Sequence, residues 1–253
     1  LSQGEVQSIE HLVDGAYNKH LLSGKDPYRG KKINPKHPFF YPDLLGISGD
    51  FIDLLDHPKT FPKVCGILGW NIYCYHTHFI VAPPIQQDEP VPIHFHRDSG
   101  RVNFDLEVHP RPRFSVKVAF WLSDCSQTQR GNLLVVPGSQ KYDDLDQHEN
   151  KRPEGAIAIC GNPGDAVIFD HRLWHSSSPN ESTLTRKAIF YGYGYRWLRP
   201  KDDMYISPET LEKYGPIRQQ LLGASSDNNR RFTPLPEDVP LKEWMEISNL
   251  SET

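Results

Sequence analysis

His96 and Asp98, separated by one residue, and His175 far downstream could bind one divalent metal ion. Side chains two apart on an extended segment project to the same face, so the first two can reach one ion together. The segment Gly164-Asp165-Ala166-Val167-Ile168-Phe169 reads as a turn and then a strand, and His175 follows a few residues later. Two imidazoles and one carboxylate are the donor set of a facial triad, which leaves three adjacent coordination positions open. A His-x-Asp pair alone is a common accident among twelve histidines, and its plainer reading is a hydrogen-bonded pair at a strand end. Arg186 adds weight, because it lies eleven residues beyond His175 at the start of an apolar strand. A guanidinium can take the far carboxylate of a dicarboxylic 2-oxo acid through a bidentate pair, while the 2-oxo end chelates the metal. The plainer reading of Arg186 alone is an exposed structural arginine.

These residues need strands to hold them. From Gly69 onward, β-branched and aromatic runs broken by Pro and Gly occupy residues 70–81, 114–123, 132–136, 156–160, 165–170 and 186–197. Many short strands at this spacing argue for a sandwich or jelly roll. Ahead of them, Ile9, Leu12, Val13 and Tyr17 recur at helical spacing, and residues 49–56 give a second short apolar pattern. Helical periodicity returns at residues 207–222, and the tail from Ser225 is polar. The expected layout is a single catalytic domain over 1–253, with a helical part over 1–66, a β core over 67–200 and a C-terminal helix and tail over 201–253. The proline-rich stretch Pro83–Pro92 and the polar stretch Lys141–Glu154 are expected to be exposed connectors, the first of them a lid.

Four segments taken in order resemble the phytanoyl-CoA dioxygenase family. They are Val81-Ala82-Pro83-Pro84 ahead of His96-Arg97-Asp98, then Gly131-Asn132-Leu133-Leu134-Val135-Val136-Pro137-Gly138-Ser139, then Gly164-Asp165 leading to His175, and finally Arg186-Lys187-Ala188. The resemblance implies a mainly β, cupin-like double-stranded β-helix (jelly roll) with flanking N-terminal and C-terminal helices. It implies Fe(II), 2-oxoglutarate and O2, with succinate and CO2 as co-products. His96, Asp98 and His175 would be the iron ligands, Arg186 the main 2-oxoglutarate anchor and Ser177 a second contact. Related halogenases replace the carboxylate with a small residue, so Asp98 favours hydroxylation, with desaturation or cyclisation as variants of the same abstraction. The sequence departs from several relatives at Ala82, where they carry a lysine beside the co-substrate, and this argues against an acyl-CoA substrate.

If Ala82 faces the cavity, strand alternation turns Ile80, His78 and His76 the same way. His76 would then contact 2-oxoglutarate and His78 the substrate, the plainer reading being barrel histidines satisfied by their neighbours. Along the strand from Phe114, the resemblance favours Phe120 as a cavity wall. Arg97 and Arg101, beside the metal segment, could receive an anionic group of a small-molecule substrate such as an amino acid or a secondary-metabolite intermediate.

Two other classes remain open. A cupin-type enzyme could use His94 and His96 with Zn or Mn, although such a motif places a glutamate a few residues on, where Asp98, Ser99, Gly100, Arg101 and Val102 stand. A non-catalytic β-sandwich binding module would make the triad and Arg186 a coincidence. Net charge is -4, and the 28 Lys and Arg are scattered, which speaks against a nucleic-acid partner. No apolar run is long enough to span a bilayer, so no membrane role is expected. The four cysteines, Cys65, Cys74, Cys125 and Cys160, show no CxxC spacing and read as reduced thiols of a cytoplasmic protein.

Overall fold

The computed structural model describes residues 1–26, 32–85, 93–98, 105–106, 108–145, 152–203, 206–225 and 231–248. Its strands are β1 (Phe39–Pro42), β2 (Ile72–Ala82), β3 (Ser115–Trp121), β4 (Leu133–Val135), β5 (Ile157–Ile159), β6 (Ala166–Asp170), β7 (His175–Ser177) and β8 (Arg186–Tyr195). One five-stranded sheet has the order β1-β2-β8-β3-β6, and a three-stranded sheet has the order β5-β4-β7. β4 pairs antiparallel with both neighbours, Val135 lying opposite Ile157 on one side and His175 on the other. The helices are α1 (Gln3–Ser23), α2 (Gly49–Asp53), α3 (Phe61–Leu68), α4 (Pro208–Leu211), α5 (Pro216–Leu221) and α6 (Pro240–Ile247). The mainly β class with flanking helices is the expected one. No helix among the described residues is long and apolar enough to cross a membrane.

Five elements differ from the sequence reading. The pattern over 207–222 is two short helices, because Gly215 and Pro216 start a new one. The polar tail contains α6, whose buried Leu241 and Met245 are spaced one helical turn apart. β1 and β7 are too short to show a period in sequence, and β7 carries the serines of a run that reads as loop. Most of the stretch expected to form a lid, residues 86–92, lies outside the described residues, as do 146–151 of the second connector.

The chain forms two compact units. The first comprises Leu1–Tyr41, Phe79–Arg113 and Ala119–Ile189. Here α1 starts on a capping box between Ser2 and Glu5 and buries Val6, Ile9 and Val13. It is tied to β8 by Lys187, whose ammonium donates to Glu10 and Asp14. Successive residues of a strand face opposite ways, so Arg186 projects to the other side of β8 from Lys187.

The second unit comprises Pro42–His78, Phe114–Val118 and Phe190–Thr253. On one face of β8, Tyr191 and Tyr193 are buried and donate to the backbone oxygens of Phe51 and Leu55. On the other face Phe190 stacks on His78, with ring centroids 4.5 Å apart. A Cβ at Gly192 would sit 3.0 Å from the Tyr75 ring, so the glycine leaves room for that ring. Tyr191→Phe should leave the buried Phe51 oxygen without its donor and cost about 1–3 kcal/mol. Urea unfolding should show a lower midpoint at unchanged slope; an unchanged midpoint would mean this bond contributes nothing.

Candidate metal centre

The three candidate metal ligands come together through their own backbones. The His96 N–H donates to the His175 oxygen and the His175 N–H to the His96 oxygen, both at 2.9 Å, an isolated antiparallel bridge. The Asp98 N–H donates to the His171 oxygen at 2.9 Å, fixing the second ligand of the same segment. One potential ligand atom from each of His96, Asp98 and His175 lies within 4.8 Å of the others, the one such group of three or more among the described residues. His175 Nε2 is 3.7 Å from Asp98 Oδ2. Two donors at right angles on an ion about 2.1 Å away would stand roughly 3 Å apart, so a small inward movement suffices.

Hydrogen bonds select the tautomers. His175 Nδ1 lies 2.8 Å from the Leu173 oxygen and His96 Nδ1 lies 3.3 Å from the His94 oxygen. A carbonyl can only accept, so each Nδ1 carries the proton and each Nε2 keeps its lone pair for a metal. The donor set therefore fits a divalent first-row ion, with protein on one side of it. His94 is exposed, its ring parallel to that of His96 at 6.3 Å, and it is not in the cluster.

The rear of the centre is apolar. Phe95 packs with Leu134 and Val136, and Trp174 packs against them. The Trp174 N–H donates to Ser139 Oγ at 2.9 Å, and its carbonyl accepts from the Val136 N–H at 3.0 Å. The Gly131–Ser139 motif thus grips the residue next to His175. Gly138, at φ +83, supplies the turn that swings Ser139 back. Asn132 is fully buried and donates to the Cys125 oxygen, securing the start of β4.

Arg186 is 3% exposed, and its Cζ lies 5.9 Å from the centre of the Trp121 ring. Burial pushes its pKa down, the nearby Cys125 thiol acting the other way; a guanidinium nevertheless keeps its charge. A Cβ on Gly131 would meet the Arg186 Cβ at 3.3 Å, and Gly131 has φ +68, so this glycine allows the close approach. Alternation along β3 puts Phe120 on the opposite face from Trp121. Trp121 is therefore the ring beside Arg186, and Phe120, the expected cavity wall, is buried on the other face of β3.

Ser177 shares a strand face with His175 and is exposed. The Arg97 guanidinium donates to Asp143 Oδ1 at 2.8 Å and lies 5.0 Å over Trp174. Arg101 lies outside the described residues. His76 and His78 belong to the second unit, where their rings stack at 4.8 Å, so they share a face as expected. Tyr75 faces β8 as well, at Gly192, so alternation is broken at Tyr75–His76, where the Thr77 N–H donates to the Asp202 carboxylate. His76 Nδ1 is bonded to the same carboxylate. Burial lowers the His76 pKa, and the Asp202 bond opposes this without cancelling it.

Sequence reasoning missed Trp121, Gly131, Ser139 and Asp143. For Trp121 the signal was present in the strand parity; for Gly131 and Ser139 it was a motif read as a family mark without its geometry.

Two imidazoles and a carboxylate brought together beside antiparallel strands match the facial triad of non-haem iron oxygenases. The chain belongs to the phytanoyl-CoA dioxygenase (PhyH) family, which it matches over residues 18–188. It is 26% identical to the dioxygenase cdmD of Talaromyces verruculosus over 144 residues, 56% of this chain and 47% of that one. It is 27% identical to the peroxisomal phytanoyl-CoA dioxygenase of Bos taurus over 180 residues, 62% of this chain and 49% of that one. The chain spans about half the length of these curated relatives. Among solved structures, HygX from Streptomyces hygroscopicus with nickel and 2-oxoglutarate bound is similar at a TM-score of 0.61 and 15% identity, covering 79% of this chain and 81% of that one. The epimerase SnoN from nogalamycin biosynthesis, in complex with Fe3+, alpha ketoglutarate and nogalamycin RO, is similar at 0.56 and 18%, covering 79% and 78%. These likenesses show a shared fold.

Ser139→Ala should leave the Trp174 amide without its acceptor. Hydrogen exchange at that amide should speed up by about tenfold or more, for a bond worth roughly 1–3 kcal/mol; unchanged exchange would mean Ser139 does not hold Trp174.

Proposed function

We propose that the chain is an Fe(II)- and 2-oxoglutarate-dependent oxygenase in which His96, Asp98 and His175 hold iron and Arg186 binds the far carboxylate of 2-oxoglutarate. One observation carries this reading: in a PhyH-family chain, ring nitrogens of two imidazoles whose Nδ1 atoms lie beside backbone carbonyls come together with one carboxylate. When bound, iron, 2-oxoglutarate and O2 supply the oxidation of an unactivated C–H bond, releasing succinate and CO2. Asp98 provides the single negative charge of the protein ligands, and the imidazoles remain neutral. Arg186, held between Trp121 and Gly131, presents a buried positive charge whose direction is fixed before the co-substrate arrives.

Ser177 and His76 are proposed as further co-substrate contacts and His78 as a substrate contact, on the strength of the resemblance. The substrate is proposed to be a small molecule of the natural-product kind. HygX has been solved with hygromycin B, and SnoN belongs to nogalamycin biosynthesis. Hydroxylation is the proposed outcome, because Asp98 occupies the position a halide would need. The four cysteines are free, which suits a reducing compartment such as the cytoplasm.

The direct test incubates the chain with Fe(II), 2-oxoglutarate and O2, and measures succinate across a panel of small molecules. Succinate should form and rise with a true substrate, and Asp98→Gly should abolish it; wild-type succinate formation in Asp98→Gly would sink the assignment. Arg186→Gln should weaken 2-oxoglutarate binding by about tenfold or more, since a charge-assisted bond is worth roughly 1.5–3 kcal/mol and 1.4 kcal/mol is one decade. Iron affinity should be unaltered, and equal 2-oxoglutarate affinity in the two proteins would place the co-substrate elsewhere. His78→Ala should raise the substrate KM or produce succinate in excess of oxidised product. If Thr77→Ala does so instead, the opposite strand face contacts the substrate.

A further inference from the structure

The metal ligands His96 and Asp98 sit on a short segment that belongs to none of the named strands. Its backbone is held by the bridge to His175 and by the bond from Asp98 to His171. A metal site tolerates displacements of only a few tenths of an ångström in its ligands, so something else must stiffen this segment. Arg97 lies between the two ligands and, by alternation, projects to the side away from them. Trp174, next to His175, projects to the rear in the same way and joins the apolar cluster of Phe95, Leu134 and Val136.

Arg97 and Trp174 meet there, guanidinium over indole at 5.0 Å. The free end of Arg97 is taken by Asp143, with the two side chains only 9% and 16% exposed. His109 Nδ1 also bonds to Asp143, and Arg111 Nε stands 3.9 Å from it. Asp143 comes four residues after Ser139, which holds the Trp174 N–H. One stretch, Val136–Asp143, therefore grips both ligand-bearing segments, the first through Arg97 and the second through Trp174.

We propose that Asp143 is a positioning residue for the metal centre, acting through Arg97 and Trp174 as a brace behind His96, Asp98 and His175. The inference rests on the proposed iron site. The brace works in two ways. It holds the Arg97 guanidinium over Trp174, which sets the distance between the two ligand segments. It also neutralises a guanidinium whose backbone lies between two metal ligands, where an uncompensated positive charge would oppose a divalent cation. Arg97 is thereby assigned to the rear of the site and not to substrate.

The test is anaerobic calorimetric titration of the chelator-stripped full chain with Fe(II), and separately with Ni(II), alongside the melting temperature of each metal-free protein. Asp143→Asn should lower affinity for both ions by about tenfold, the lower end of what loss of an outer partner costs a metal site. Arg97→Lys, which keeps the charge and loses the planar stack, should do likewise, and it carries the same expectation if Asp143→Asn does not fold. The double variant should bind no more weakly than the worse single variant, because the two residues form one unit. Tyr191→Phe, which lowers stability away from the centre, should leave metal affinity unchanged. Wild-type affinity in both Asp143→Asn and Arg97→Lys, with only melting affected, would reduce the brace to a structural ion pair and overturn the proposal. Additive losses in the double variant would overturn it as well. Failure of the wild-type chain to bind either ion would overturn both the iron site and the brace, an outcome distinct from tight binding that Asp143 does not influence.

Discussion

The reciprocal pairing of His96 and His175 is the contact on which the rest of the centre depends. Two backbone hydrogen bonds of 2.9 Å hold these residues directly opposite one another, although 79 positions separate them. In an antiparallel pair, side chains directly opposite stand close together on the same face. The imidazoles therefore converge, with ring centroids 4.4 Å apart. Asp98 joins them because it is two residues along the same segment. The arrangement is fixed by backbone register, and a slip of one residue would turn both of these ligands to the apolar rear.

Much of the surrounding structure serves to keep that register. β7 is three residues long and pairs with β4, whose Val135 lies opposite His175. The turn after β4 brings Ser139 back onto Trp174, and Asn132 ties the head of β4 to the Cys125 loop. On the same sequence motif, Gly131 allows Arg186 to pack closely. A stretch of nine residues thus touches both the strand that carries His175 and the buried guanidinium. Its composition follows from that double duty: small or left-handed residues where backbone must approach or turn, a buried amide where loop carbonyls need a donor, and β-branched or leucine side chains in the three-residue strand.

The candidate metal ligands could be picked out in sequence because chemistry restricts such residues to a few types at fixed parity. His-x-Asp has a single-face meaning in any extended segment, and a distal histidine and arginine follow in order. The long strands were legible for the same reason that β2 and β8 are rich in aromatic and β-branched residues. Elements shorter than one period were not. β7 has three residues and reads as a serine loop until its pairing with β4 is known. α6 has only Leu241 and Met245 to mark it, in a tail whose composition is polar. The division of 207–222 was legible at Gly215-Pro216 but was outweighed by the leucine spacing. Phe120 and Trp121 show the limit of parity: alternation puts them on opposite faces, but it does not say which of them lies beside Arg186. Arg97 shows another limit, since its ion-pair partner, Asp143, is 46 residues away and nothing in the local sequence announces the pair.

The central claim is that His96, Asp98 and His175 form one iron site that accepts 2-oxoglutarate. Its most direct test is an anaerobic titration of the chelator-stripped chain with Fe(II), followed by 2-oxoglutarate, read as bound iron per chain and as the visible charge-transfer absorption of a chelated 2-oxo acid. The wild type should bind one iron per chain and show the absorption band, and a folded His175→Ala variant should lose both. An undiminished band and full iron content in His175→Ala, or no iron bound by the wild type, would contradict the claim.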